Sequence, residues 1–232
     1  MKRLKLALLA LTFLITNNLF AQRELFTGEF YFGAGAGASA ASIDFLPSVP
    51  QTKKIGFFGG VAAKYVSQNH LGVIVEANYS QRGWEEDFDP ESGFSYNRTL
   101  NYLEIPFMTH VYFGNKTRFI FNAGPQLSIL LNDSQEMSQA LADDLEARRE
   151  ANPDLPIGFQ YNPISEMQRV DYGLVGGVGM EVQTGIGSFD LEGRYYFGLG
   201  DIFTSRRSEN AYFGRSAHRL IEAKLTYYIK IK

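Results

Sequence analysis

From residue 29 to residue 231 the chain alternates. Apolar and polar side chains take turns in eight separate stretches, and a period of two is the spacing of a β-strand whose two faces meet different surroundings. In 71–82, Leu71, Val73, Val75, Ala77 and Tyr79 alternate with Gly72, Glu76, Asn78, Ser80 and Arg82. In 101–114, Leu103, Ile105, Phe107, Val111 and Phe113 share one face, with Glu104, Pro106, Met108 and His110 opposite. Six further stretches, near 29–40, 54–66, 118–129, 170–183, 189–199 and 221–231, follow the same rhythm. No internal repeat goes beyond it.

The connections carry a second rhythm. Those after strands two, four and six are short, Ser67–His70, Gly114–Thr117 and Thr184–Gly187. Those after strands one, three, five and seven are long, running roughly 42–53, 83–97, 131–168 and 201–215. Strict alternation of short and long puts every long loop at one end. Short turns at one end and long loops at the other are the form of an outer-membrane barrel. The longest connection predicts a helix over 134–150: Asp133 and Glu136 have capping-box spacing, Met137, Leu141 and Leu145 make an apolar stripe, and Asn152-Pro153 ends it.

A sheet that is greasy on one face and holds carboxylates on the other needs lipid outside and a polar interior. Lipid offers no partner to unpaired backbone groups, so the sheet must close on itself. The expectation is an all-β, eight-stranded antiparallel up-and-down transmembrane barrel with a short helix in the third external loop. Ile55, Val73, Ile105, Phe121, Val178, Leu191 and Leu225 are then predicted on the outer wall. Pro106 and Pro125 each remove a ladder donor and call for a bulge or a local gap in pairing. The charged residues of the polar faces, Lys64, Glu76, Glu104, Glu181, Glu192, Arg194, Glu222 and Lys224, form a predicted polar network in the lumen. Mirror pairing of the last two strands sets Arg194 opposite Glu222 and Glu192 opposite Lys224, an interior ladder of opposite charges that obstructs a pore.

The N-terminus has a positive head, Lys2, Arg3 and Lys5, an apolar run from Leu6 to Ile15, and Leu-Phe-Ala at 19–21. This layout predicts a signal peptide over 1–21 and a barrel domain over 22–232. Losing 1–21 removes those three positive charges and no negative ones, taking the formal net charge from -3 to -6. A nucleic-acid partner, which favours a basic patch, is not expected. There is no Cys, so neither a disulfide framework nor thiol chemistry is available.

"YLEIPF" at 102–107, "GPQLSILL" at 124–131 and "RYYFGL" at 194–199, in this order, with "NYSQRGW" at 78–84, resemble the PorT-type outer-membrane β-barrel proteins of the Bacteroidetes group. The resemblance covers nearly all of the chain after residue 21. It implies an eight-stranded barrel in the outer membrane, and it implies a link to protein secretion, which the founding member serves.

Catalytic chemistry is not legible. "GAGAGAS" at 33–39 lacks the Lys-Ser/Thr ending and following helix of a phosphate loop. His70, His110 and His218 have no metal-ligand spacing, and no nucleophile–base pair stands out. The chain is therefore expected to be no enzyme and to need no cofactor or metal. An eight-stranded barrel has an interior just wide enough for side chains to fill. That favours a structural or surface-interaction role over a general porin, with outer-membrane lipid as one partner and surface or secretion proteins meeting the external loops as others. Two alternatives remain open: a narrow channel for small solutes or ions, and a soluble lipocalin-like barrel with the apolar faces turned inward.

Overall fold

The computed structural model describes residues 28–153, 157–203 and 212–231. The expected signal peptide lies outside the described residues. Eight long strands run β1 (Glu29–Leu46), β2 (Lys54–Gln68), β3 (Leu71–Glu86), β4 (Tyr96–Gly114), β5 (Thr117–Met137), β6 (Val170–Thr184), β7 (Gly187–Gly198) and β8 (Arg215–Lys230). Each pairs antiparallel with the next, and β1 pairs with β8 from Tyr31↔Lys230 to Leu46↔Arg215, so the ring closes. A two-residue strip, Gln51–Thr52, pairs with Glu85–Glu86 beside the rim. The three short connections shrink to Asn69–His70, Asn115–Lys116 and Gly185–Ile186. His70 takes the left-handed conformation (φ 70°) that such a tight reversal demands.

The outer wall is apolar. Ile55, Val73, Ile105, Phe121, Val178, Leu191 and Leu225 are all exposed there, while the alternate residues of each strand are buried inside. This is the reverse of a lipocalin-like barrel, and it overturns that alternative. Aromatic side chains make two belts on the wall. Phe30, Tyr65, Phe113, Phe119, Phe189 and Tyr227 stand near the short turns; Phe57, Tyr79, Tyr172, Tyr195 and Phe197 stand toward the long loops. From Phe189 to Phe197 the strand advances ~26 Å at ~3.3 Å per residue. A tilt of ~40° reduces this to ~20 Å of height, close to the ~25 Å apolar band of such barrels.

Strands on the loop side outrun the alternation that marks them in the sequence: β1 continues to Leu46, β3 to Glu86 and β5 to Met137. The cause is an inversion of solvent. Above the lipid the outside is water, so Ser134 and Glu136 face out, while Ile43, Phe45, Trp84, Tyr96 and Leu100 turn inward and bury. The two prolines sit at gaps in the ladder rather than at bulges: β3–β4 pairing breaks between Val75↔Phe107 and Asn78↔Glu104, and β4–β5 pairing breaks between Pro106↔Gln126 and Thr109↔Ala123.

The helix, α1, is found at Gln139–Ala151 and not from residue 134. Asp133 and Glu136 are not its cap. They remain in β5, paired with Leu100 and Asn97 of β4. A ready ladder partner outcompetes a local capping box, and Ser138 becomes the N-cap, its Oγ accepting from the N–H of Leu141 at 3.4 Å and of Ser95 at 3.0 Å. Leu141 and Leu145 of the predicted stripe are buried.

Candidate functional site

The feature that sets this barrel apart from a plain membrane wall is its interior, which is densely charged and braced by ion pairs. Inward residues stack in layers along the axis, and the ion pairs in them join neighbouring strands in some cases and cross the lumen in others. Nearest the short turns, Lys64 of β2 lies 3.2 Å from Glu181 of β6 and 3.3 Å from Asp190 of β7. Its ammonium also sits 4.1 Å from the centre of the Tyr228 ring. Beside it, His110 Nδ1 and Asn122 Oδ1 are 2.7 Å apart. Arg118 closes this layer, 4.3 Å over the ring of Tyr112.

At mid-height Glu76 of β3 receives both Arg194 amino groups at 2.8 Å and the Lys224 ammonium at 2.6 Å. Arg194 also donates to Glu192 at 2.8 Å. The β7–β8 register does set Arg194 opposite Glu222 and Glu192 opposite Lys224. The ion pairs nevertheless bypass it, which corrects the expected hairpin ladder. The cause is size: in an eight-stranded ring the far wall lies within reach of a long side chain. Glu222 is left buried, with its Oε1 lacking any protein partner.

Higher still, Arg82 is held by Glu104 (2.7 Å), Asp171 (3.0 Å) and the Ser128 hydroxyl (3.1 Å), between the rings of Tyr102 and Tyr196. Tyr196 donates to Asp171 at 2.9 Å. Arg98 binds Asp133 at 2.6 Å and the backbone carbonyls of Gln160 (3.2 Å) and Asn162 (2.7 Å), tying the third external loop to the wall. All eight residues of the expected lumen set are buried. Arg82, Asp171, Asp190 and Arg98 complete the layers and are absent from that set. Inward parity was the available signal for each of them, but parity does not choose partners.

Above the last charged layer the mouth is roofed by an apolar core. Ile43, Phe45, Trp84, Leu130, Phe203 and Phe213 pack there with Leu141 and Leu145 of α1. Trp84 meets Phe45 edge-on at 5.4 Å, and Tyr96 meets Tyr161 edge-on at 4.5 Å. At the rim, above the lipid, the Tyr161 hydroxyl donates to Glu86 at 2.7 Å. Burial pushes the Glu86 carboxyl above its ordinary range, and burial and the neighbouring Glu86 push the Tyr161 hydroxyl up as well. Among the described residues no group of His, Asp or Glu side chains is placed to hold a metal ion.

A closed ring of eight strands with a lipid-facing apolar wall, long loops at one end and a charged interior defines a small outer-membrane β-barrel. The chain belongs to the outer membrane protein beta-barrel domain family, whose model matches residues 20–204. No curated protein matches it. Among solved structures it is similar to Neisserial surface protein A, at 17% identity and TM-score 0.50, covering 89% of this chain and 100% of that one. It is also similar to OprG from Pseudomonas aeruginosa (10% identity, TM-score 0.45, 88% of this chain and 96% of that one). Ail of Yersinia pestis gives 12% identity and TM-score 0.43, covering 88% of this chain and 100% of that one. These likenesses concern the fold.

Proposed function

We propose that this barrel is a non-conducting scaffold of the outer membrane, exported by a signal peptide over 1–21, that works through the surface its long loops present. The observation that carries the reading is the double closure of the lumen: cross-braced charge layers fill it, and the apolar core under α1 roofs it. A solute path would have to break ion pairs whose desolvated halves each cost several kcal/mol to strand. The resemblance of "YLEIPF", "GPQLSILL" and "RYYFGL" to PorT-type barrels supports placing its partners among surface or secretion proteins.

One observation favours the narrow channel as a second reading. Asp190 and Glu192, successive inward residues of β7, each leave a buried carboxylate oxygen without a protein partner, and Ser188 below them leaves its hydroxyl free in the same way. Such a file of orphan oxygens is hydrated in folded proteins. Planar-bilayer recording separates the two readings: the scaffold gives no stable unitary conductance, and a stable conductance from the intact chain overturns it. Pull-down from detergent-solubilised outer membrane, with the third loop intact and deleted, tests whether the partners dock on the loops.

A further inference from the structure

We propose that the open edge of β5 above the membrane, Leu131–Met137, takes up an extended basic segment of a partner protein as an added strand. The inference rests on the loop-surface reading above and gives that surface a place and a partner chemistry.

β5 pairs with β4 up to Tyr96↔Met137, but its ladder with β6 stops at Ile129↔Val170. The last bond on that side runs from the Leu130 N–H to the Arg169 carbonyl at 2.8 Å. Beyond it, among the described residues, no partner other than β4 hydrogen-bonds the backbone of Leu131–Met137. The direction of the free groups follows from the register. Ser138 continues it, donating to the Ser95 carbonyl at 3.0 Å, so by alternation Asp133 and Gln135 turn their N–H and C=O away from β4. The other loop-side extensions have their second edges covered. The Gln51 amide takes both the N–H (2.9 Å) and the carbonyl (2.6 Å) of Ile43 on β1. The strip Gln51–Thr52 covers the end of β3. On β8 the Ile202 N–H donates to the Ser216 carbonyl at 2.8 Å, and Asp201 receives the Ser216 N–H at 2.7 Å. An uncovered edge is a template for one more strand.

Charge then selects the occupant. Residues 83–97, 131–153 and 157–169, the described part of the second and third loops, hold twelve carboxylates. Against them stand six cations, with Arg98 and the adjoining Lys53 and Lys54 included. In the outward row that ends at the open edge, Glu85, Asn97 and Glu136 stand in register across β3, β4 and β5, and Lys54 donates to Asn97 at 2.7 Å. Glu136 is exposed, and its contact is the Asn97 amide at 3.5 Å. A cationic side chain on an added strand, placed beside Glu136, makes a favourable cross-strand pair. Where the edge ends, Met137, Leu145 and Tyr161 line a cavity of about 470 Å³ that also carries Glu146, Glu150 and Arg149. Arg149 is engaged through its Nε with the Ile157 carbonyl at 3.1 Å. A lysine or arginine stem lies along such apolar walls while its tip meets the carboxylates. Two copies paired edge to edge would instead face acid with acid, which disfavours a second copy of this chain as the occupant.

The test uses the full chain, refolded in detergent and verified by heat-modifiable migration. The probe is a fluorescein-labelled peptide of alternating lysine and valine, as long as the edge, titrated by anisotropy. It is expected to bind about tenfold more tightly than its glutamate–valine counterpart. Two methylated forms of the lysine peptide, one on the lysine backbone nitrogens and one on the valine backbone nitrogens, keep its charge. Strand addition uses only one of these two sets of N–H groups, so one form is expected to bind ~10-fold more weakly than the other. This arm needs no substitution in the barrel. Gln135→Pro deletes an open N–H and no bond to β4, and is expected to weaken the lysine peptide by ~10-fold. Glu136→Lys is expected to weaken the lysine peptide and strengthen the glutamate peptide. Equal binding of the two methylated forms, equal binding of the lysine and glutamate peptides, or unchanged binding by folded Gln135→Pro overturns the proposal. Self-association of the chain that Gln135→Pro abolishes gives the edge to a second copy and overturns the basic occupant. Membrane partners that need the third loop but survive Gln135→Pro in the pull-down overturn the edge and leave the loop reading standing. Partners that survive deletion of the third loop overturn the loop reading itself.

Discussion

Arg194 reaches across the lumen from β7 to Glu76 on β3, and each of its two amino groups meets a carboxylate oxygen at 2.8 Å. Both residues are buried, and Lys224 and Glu192 complete the cluster, so two cations meet two anions in one layer. The pair braces opposite walls of the barrel. Removing one partner strands a desolvated charge, which costs about 3–5 kcal/mol. Arg194→Ala is therefore expected to lower the free energy of unfolding from lipid vesicles, read by urea titration, by an amount in that range. The double replacement Arg194→Met with Glu192→Gln is expected to recover much of the loss, since Glu76 keeps Lys224 and no carboxylate of the cluster is left without a cation. A parent-like Arg194→Ala midpoint would refute the bracing role.

Glu222 supplies the contrast. It faces Arg194 in the β7–β8 ladder yet makes no ion pair, and its Oε1 has no protein partner. Neutralising it takes away a buried burden instead of a bond. Glu222→Gln is expected to leave stability unchanged or to raise it, in the same urea titration in which Glu76→Gln is expected to lower it. Equal losses from the two substitutions would mean that the hairpin partner matters after all.

The difference between these two glutamates marks how far the sequence can be read. Alternation exposes which residues face inward, because lipid and lumen impose opposite preferences on neighbouring positions of each strand. Loop lengths expose the up-and-down order, because only a hairpin can be two residues long. Partner choice inside the lumen is not legible. It depends on which residues of β2 and β3 come level with β6 and β7 across the ring, and that follows from the stagger of the whole closed sheet. The loop-side extensions of β1, β3 and β5 are hidden for another reason. Above the lipid the apolar side chains change from the outer to the inner face, and Phe45, Trp84 and Tyr96 then read as breaks in the pattern.

The lipid face should show a depth gradient. Val178 sits opposite Gly193, midway between Phe189 and Phe197, and is among the more exposed wall residues. An Arg there meets the membrane centre and costs about 2–4 kcal/mol, against about 0–1 near an interface. Val178→Arg is expected to be the more damaging in vesicle-folding titrations, Phe189→Arg the less, and Leu191→Arg intermediate. The same cost at all three positions would mean that the wall does not span a bilayer.

The roof should be separable from the wall. α1 contributes Leu141 and Leu145 to the apolar core but no strand to the ring. Surface loops change length at little cost in closure entropy. A chain lacking 139–151, joined by a short Gly-Ser linker, is expected to keep a heat-modifiable folded band while Trp84 becomes accessible to acrylamide quenching. Loss of the folded band would make the helix part of the folding core.

The rim contact between Glu86 and Tyr161 should respond to pH, and its sign follows from burial. Burial raises the folded-state pKa of Glu86 above its unfolded value. Its contribution to docking the third loop is then fully present below the ordinary carboxylate range and is lost as pH rises through the folded value. The groups around it are the Tyr161 hydroxyl, which donates to it, the Gln160 amide, the Trp84 indole, and Tyr96 with Arg98 beyond. Trp84 is the single tryptophan of the chain and lies fully buried two residues away, so its emission reports on this contact directly. Raising the pH from acid toward neutral is expected to shift Trp84 emission to the red and to increase protease cleavage in the third loop. Glu86→Gln cannot ionise and still accepts from Tyr161, so it is expected to hold the blue-shifted, protected state across the same range. An identical pH profile in the parent and in Glu86→Gln would assign the transition to another group and remove Glu86 from the account.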